Sequence, residues 1–150
     1  MSSASTTDDM LKLDNQLCFA VYSTSLAMTR LYKPMLEKLA LTYPQYLVML
    51  ALWEQDAAMV SELGQRLALD SGTLTPLLKR LELNGLVTRL RDVADERRVR
   101  ITLTPAGRKL KRSAANVPGC LLAASQCSIT ELTALTRRLQ TLRDNVRAAA

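Results

Sequence analysis

A chain of 150 residues, 48% hydrophobic and 23% charged, fits one domain, or a small module carrying its own association helices. With 20 basic and 14 acidic side chains the net charge is +6, which favours polyanionic partners without separating nucleic acid from a membrane surface. No uncharged apolar run approaches the ~20 residues that span a bilayer, and 3 cysteines with no histidine suit neither a disulfide framework nor a zinc site.

Met1 to Met10 is rich in Ser and Thr, ends in Asp8 and Asp9, and lacks the basic and apolar regions of a secretory signal. Residues 1–10 therefore read as a disordered tail on a cytoplasmic protein without a membrane partner. From about Lys12 to Leu36, the positions Leu13, Leu17, Ala20, Thr24, Ala27, Leu31 and Met35 recur at steps of three and four and form one helical stripe. Pro34 predicts a kink or an early stop there. Pro44 to Gln55 is apolar nearly all round, which predicts a core helix with Pro44 in its first turn.

Two short helices follow, separated by a tight break. The first covers Val60 to Leu67, with Val60, Leu63 and Leu67 inward. The second is capped by Asp70 or Ser71 and runs to about Asn84, with Leu74, Leu77, Leu78 and Leu81 inward. Pro76 should kink it or restrict it to a start nearer Thr73, and Asn84-Gly85 should end it. The period then changes: Leu86 to Leu90 and Val99 to Leu103 read as two strands joined by the charged stretch Arg91 to Arg98, a hairpin with a basic tip. Thr104-Pro105 starts a helix expected to reach about Val117, where Pro118-Gly119 disturbs it. A last helix opens at Ser128 with Glu131 completing a capping box, and its stripe is Ile129, Leu132, Leu135, Leu139, Leu142 and Val146.

Helix, tight break, helix and basic hairpin is an order that places one helix in the DNA major groove, although an ordinary helical core with a surface hairpin has the same pattern. The outward residues Ser71, Thr73, Thr75, Lys79 and Arg80 offer hydroxyls for base edges or phosphates and cations for phosphates. The hairpin adds Arg91, Arg97, Arg98 and Arg100, suited to a narrow minor groove. Apolar stripes at both chain ends bury either in a homodimer or in a larger monomeric core.

The run Asp95-Glu96-Arg97-Arg98-Val99-Arg100-Ile101-Thr102-Leu103-Thr104-Pro105-Ala106-Gly107 resembles the wing signature of MarR-type regulators, Asp-x-Arg followed by Leu-Thr-x-x-Gly. The resemblance implies a mainly α fold with a small β-hairpin wing. A winged helix-turn-helix over 41–103 binds double-stranded DNA, flanked by dimerisation helices over 11–40 and 104–150. It puts Ser71, Thr73, Thr75, Pro76, Lys79 and Arg80 at the DNA. Arg97 becomes the wing-tip residue of the minor groove, and Asp95 holds its loop through an ion pair.

Leu13 to Ala20, Leu41 to Leu47 and Leu69 to Arg80 are similar to the OhrR branch of that family, the organic hydroperoxide sensors. By residue type alone Cys18 reads first as a small hydrophobe beside a stripe. Its place near a helix start favours thiolate, while Asp8, Asp9 and Asp14 oppose it. The resemblance implies that Cys18 is the peroxide-reactive thiol, hydrogen-bonded by Tyr32 and Tyr43 of the other subunit. It further implies a resolving cysteine in the partner, for which Cys120 is favoured over Cys127. The expectation is a homodimeric repressor, without cofactor or enzymatic turnover, that holds a pseudo-palindromic operator when reduced and is released by organic hydroperoxides. Two rivals stay open: release by a phenolic or lipophilic ligand, and a thiol peroxidase using Cys18, for which Arg30 lies too far along the helix to support the sulfur.

Overall fold

A computed structural model describes residues 6–150, which divide into two compact units meeting in sequence at Ala115 and Asn116. Helix α1 (Thr7–Met10) is a single turn where the sequence predicted a disordered tail. Local polar bonds account for it: the Thr6 side chain accepts from the Asp9 N–H, and Lys12 meets Asp9 at 2.7 Å. The rest of that expected tail, 1–5, lies outside the described residues.

Helix α2 (Leu17–Lys38) starts later than the predicted Lys12, because Leu13–Asn15 makes a 3-10 turn whose end Gln16 ties to the Met10 carbonyl at 2.6 Å. Pro34 does not stop it. A proline forgoes one bond to the carbonyl four residues earlier, and buried Leu36 holds the turn beyond. Helix α3 (Tyr43–Glu54) begins with a reciprocal capping box of Thr42 and Gln45, with Pro44 in its first turn as expected. Val48, Met49 and Leu52 are sealed from solvent, but Leu50 is exposed, so α3 is core on most of its surface rather than all of it.

Strand β1 (Ala58–Met59) leads directly into α4 (Val60–Leu67). Ala68, in the left-handed region at φ 57°, makes the break before α5 (Ser71–Leu83). Asp70 caps α5, its carboxylate accepting the Thr73 N–H at 2.7 Å. Pro76 lies in the second turn of α5 without breaking it, and Gly85 at φ 75° ends the segment as the Asn84-Gly85 pair predicted. Leu63, Leu74, Leu78 and Leu81 are buried; Val60, Leu67 and Leu77, also expected inward, are half-buried.

Strands β2 (Val87–Arg91) and β3 (Val99–Leu103) form the expected hairpin, in register from Val87 opposite Leu103 to Arg91 opposite Val99. The sheet has a third strand that the sequence did not reveal: β1 pairs with β3, Ala58 opposite Ile101, giving the order β1-β3-β2. Val87, Ile101 and Leu103 face the core. Helix α6 (Pro105–Ser113) follows the Thr104 cap.

Here the Leu-Thr-x-x-Gly run shows its physical reason. Leu103 is buried. The Thr104 hydroxyl donates to the Gly85 carbonyl at 2.6 Å and accepts the Gly107 N–H at 3.0 Å. A Cβ on Gly107 would meet the Leu86 carbonyl oxygen at 2.1 Å, so only glycine fits. The Gly107 carbonyl in turn accepts the Trp53 indole N–H at 2.9 Å. One short motif thus ties the wing base to α3 and α5.

The second unit contains α7 (Val117–Ser125) and α8 (Ile129–Ala149). Pro118 sits in the first turn of α7, where its missing N–H is harmless, instead of disturbing a helix that runs on from Pro105. The helix expected to reach about Val117 ends at Ser113, and α7 is a further helix that the sequence reading did not place. Ser128 and Glu131 form the predicted capping box of α8. The α8 residues Ile129, Leu135, Leu139, Leu142 and Val146 are exposed. The chain is mainly α with a small sheet, as the sequence implied.

Candidate nucleic-acid interface and thiol site

Along α5 the side chains of Ser71, Thr73, Pro76, Lys79 and Arg80 stand exposed and Thr75 half-exposed. The apolar residues Leu74, Leu78 and Leu81 occupy the opposite, buried side, so period alone separates the two faces. A groove of about 450 Å³ runs between this helix and the wing, with Ser71, Thr75, Arg89, Arg97 and Arg98 among its walls.

The wing tip is shaped by two aspartates. Asp92 donates its N–H to the Arg98 carbonyl at 2.8 Å and accepts the Ala94 N–H at 2.9 Å. The Asp95 carboxylate accepts the Arg97 N–H at 3.1 Å, and its oxygens lie 3.6 Å from the Arg97 and 3.8 Å from the Arg98 guanidinium. Such exposed ion pairs contribute under about 1 kcal/mol, so Asp95 acts chiefly through its backbone bond. The Arg97 side chain itself is 95% exposed.

Not every basic residue of the hairpin points outward for use. The Arg100 guanidinium donates to the Ala57 carbonyl at 2.6 Å and is a structural tie across β1. Asp56 makes a second tie that pattern reading missed, accepting the Ala57 and Leu103 N–H groups at 2.7 and 2.9 Å and standing 3.7 Å from Arg108. A polar residue in a loop gives no periodic signal, and only the fold brings these donors to it.

Cys18 is the second residue of α2, exposed, in a first turn without acidic residues. Before it, Asp9 is engaged: the Lys12 ammonium, then the Thr6 hydroxyl, holds its carboxyl below the usual range. Around Cys18 the large apolar side chains Leu17, Phe19, Val21, Tyr22 and Leu26 are all exposed.

Tyr32 and Tyr43 come together, their rings stacked at 5.9 Å and 17°. A third phenol, Tyr46, joins them at 6.4 and 6.3 Å and is buried; burial, then Tyr32 and Tyr43, pushes its ionisation up. Cys18 and Tyr32 share one helix and stand about 21 Å apart along its axis at 1.5 Å per residue. Within one chain they cannot meet. Beside Tyr43 a largely apolar hollow of about 380 Å³ opens between α2 and α3, with Arg30 and Lys33 in its wall.

In the second unit Cys120 is half-buried near the start of α7. Cys127 is half-buried after its end, with its Sγ 3.4 Å from the Ser125 carbonyl oxygen and its N–H on the Ser125 hydroxyl at 3.2 Å. Among the described residues no helix is long and apolar enough to cross a membrane.

Residues 30–113 match the family model described as the transcriptional regulator SarA/Rot. The organic hydroperoxide resistance transcriptional regulator of Bacillus subtilis is 52% identical over 134 residues, 89% of this chain and 91% of that protein. A structure described as reduced AbfR bound to DNA is 33% identical, covers 95% of this chain and 98% of its own, and superposes with a TM-score of 0.81; AbfR is a Staphylococcus epidermidis protein. The disulfide-formed AbfR is similar at 37% identity, covers 90% of this chain and 95% of its own, and has a TM-score of 0.61. Helix, turn, helix and a wing closed by Leu-Thr-x-x-Gly, in a chain half identical to a hydroperoxide resistance regulator, make this protein a member of the MarR-type winged-helix transcriptional regulators, in their OhrR branch.

Proposed function

We propose that the chain is a homodimeric repressor that binds a pseudo-palindromic DNA operator when reduced and lets go when organic hydroperoxides oxidise Cys18. The observation that carries this reading is the placement of Cys18: an exposed thiol at a helix start, ringed by uncovered apolar side chains, about 21 Å along the helix from the phenols that would address it. A second copy supplies both the missing cover and the phenols. Tyr32 and Tyr43 of that copy would donate to the sulfur and favour its thiolate.

The Cys18 thiolate attacks the terminal peroxide oxygen, the O–O bond breaks, and the alkoxide leaves and takes a proton as the alcohol; sulfur becomes sulfenic acid. A partner thiol then displaces water and forms the disulfide. Cys120 is the better candidate, since Cys127 already contacts the Ser125 carbonyl. On the DNA side, α5 enters the major groove with Ser71, Thr73, Thr75, Pro76, Lys79 and Arg80, while Arg97, on the loop that Asp95 shapes, enters the minor groove. The protein works in the cytoplasm, by binding rather than turnover.

Gel shifts on operator DNA with reduced, hydroperoxide-treated and re-reduced protein test the reading. Wild type should bind, release and bind again. Cys18→Ser should stay bound under peroxide, and Cys120→Ser should stop at sulfenic acid. Oxidised wild type that keeps full affinity would sink the sensor. The apolar hollow beside Tyr43 favours one second reading, release by a lipophilic ligand, which a peroxide-insensitive but ligand-sensitive shift would select.

A further inference from the structure

Arg89 differs from every other cation of the reading head. Arg97 and Arg98 lean on Asp95, Arg100 on the Ala57 carbonyl, Arg66 on Glu54 and Arg108 on Asp56. Lys79, Arg80 and Arg91 are exposed and solvated. Arg89 is half-buried on β2, and its Nε is sealed from solvent with no hydrogen-bond partner among the described residues. Glu82 does not serve it: that carboxylate accepts the Arg89 backbone N–H at 3.1 Å, and among the described residues no carboxylate forms an ion pair with the guanidinium. Buried polar groups are nearly always satisfied, and the sealed Nε lies beyond the reach of any outside acceptor, so what Arg89 offers a ligand is the part of its side chain that lines the groove beside α5.

The surroundings define that acceptor. Arg89 lines the groove between α5 and the wing, whose walls carry the Ser71 and Thr75 hydroxyls on one side and Arg97 and Arg98 on the other. With Ser61 also in the wall, three hydroxyls and three guanidinium groups around one open channel suit a phosphate oxyanion and repel a cation. The channel also joins the two surfaces proposed to reach DNA, so a strand passing from one to the other crosses it.

We propose that Arg89 clamps one backbone phosphate of the duplex at the junction of recognition helix and wing, fixing register without reading sequence. This rests on the DNA-binding reading above. The test measures affinity of wild type, Arg89→Gln and Arg89→Lys for operator and for an unrelated duplex over a salt series, with circular dichroism to establish folding. Arg89→Gln should bind both duplexes about tenfold more weakly, and its log–log salt slope should fall by about 0.9 for each bound subunit. Arg89→Lys, which keeps the charge, should keep the slope. With single methylphosphonate substitutions, one phosphate should matter to wild type and not to Arg89→Gln.

An unchanged salt slope in a folded Arg89→Gln protein would overturn the clamp, as would a loss confined to the operator. Should Arg89→Gln not fold, the methylphosphonate scan on wild type and Arg89→Lys decides: no single sensitive phosphate overturns it. Inorganic phosphate that saturates the free wild type, is lost in Arg89→Gln and leaves the duplex slope alone would assign the groove to a free anion instead. Failure of wild type to bind any duplex would strike the DNA reading itself, a result distinct from all of these.

Discussion

The stretch from Leu41 to Leu103 and the two outer helices use the same residue types to opposite ends. In the former, Tyr46, Val48, Met49, Leu52, Leu63, Leu74, Leu78, Leu81, Val87 and Ile101 are all buried, and polar ties from Asp56, Trp53 and Thr104 close its edges. In the first half of α2 and along α8, apolar side chains at equally regular spacing stand in solvent. A periodic stripe reports that a face needs cover; it does not say whether the chain supplies that cover itself. The core of the head closes with help from buried Leu36 of α2 and from Gly107 of α6, whereas the first half of α2 and the length of α8 keep their apolar side chains uncovered.

The largest effect should come from breaking the head at its tightest contact. Gly107→Ala forces a Cβ to within 2.1 Å of the Leu86 carbonyl oxygen and should cost about 3 kcal/mol of stability, read as a lower urea midpoint with an unchanged slope. A midpoint equal to wild type would show that the wing base yields more easily than this packing suggests. On the other side of the contrast, Leu139→Ala on α8 should weaken self-association by about 2 kcal/mol, roughly thirtyfold in sedimentation equilibrium, without altering the fold of the head. Unaltered association would place the contact between copies elsewhere.

The smallest effect is a pH dependence at the cap of α5. Hydrogen bonds from the Thr73 N–H, then the Thr73 side chain, hold the Asp70 carboxyl below its usual range. A depressed carboxylate contributes stability that is complete above the unfolded value, about 3.9, and is lost as pH falls through the folded value. The melting midpoint should therefore dip below about pH 4. Asp70→Asn, which still caps a helix but does not ionise, should remove that part of the dip. An identical acid profile in both proteins would mean that the cap carries no linkage.

The same contrast explains what could be read from the sequence. The helices α4 and α5, both strands of the hairpin, the first-turn Pro44 and the cap at Ser128 were legible, because caps, prolines, glycines and changes of period act within a few residues; the Thr42–Gln45 box was not read. Strand β1 was not, since two residues carry no period and pair only with a strand forty positions away. The break near Val117 was read to within a few residues, but the start of α7 there was not, because proline ends one helix and begins another with equal ease. Among candidate site residues, Cys18, Tyr32 and Tyr43 stood out by resemblance, whereas Tyr46 looked like core, and Arg89, inside a predicted strand, was not singled out. Only packing showed the third phenol in its cluster and the guanidinium without a partner.

The asymmetric fixing of the wing has a mechanical consequence. At its base, Asp56 holds the Leu103 N–H and Thr104 holds Gly85, while at its tip the bonds of Asp92 and Asp95 stay within the loop. The hairpin is a cantilever, stiff at the end and anchored on one side only. Strand β1 and the Arg100 tie hold β3 as far as Arg100, so the free arm to Arg97 is about 10 Å, and a tilt of about ten degrees there carries Arg97 roughly 2 Å. Displacements too small to disturb the core would suffice to take the tip out of register with its target.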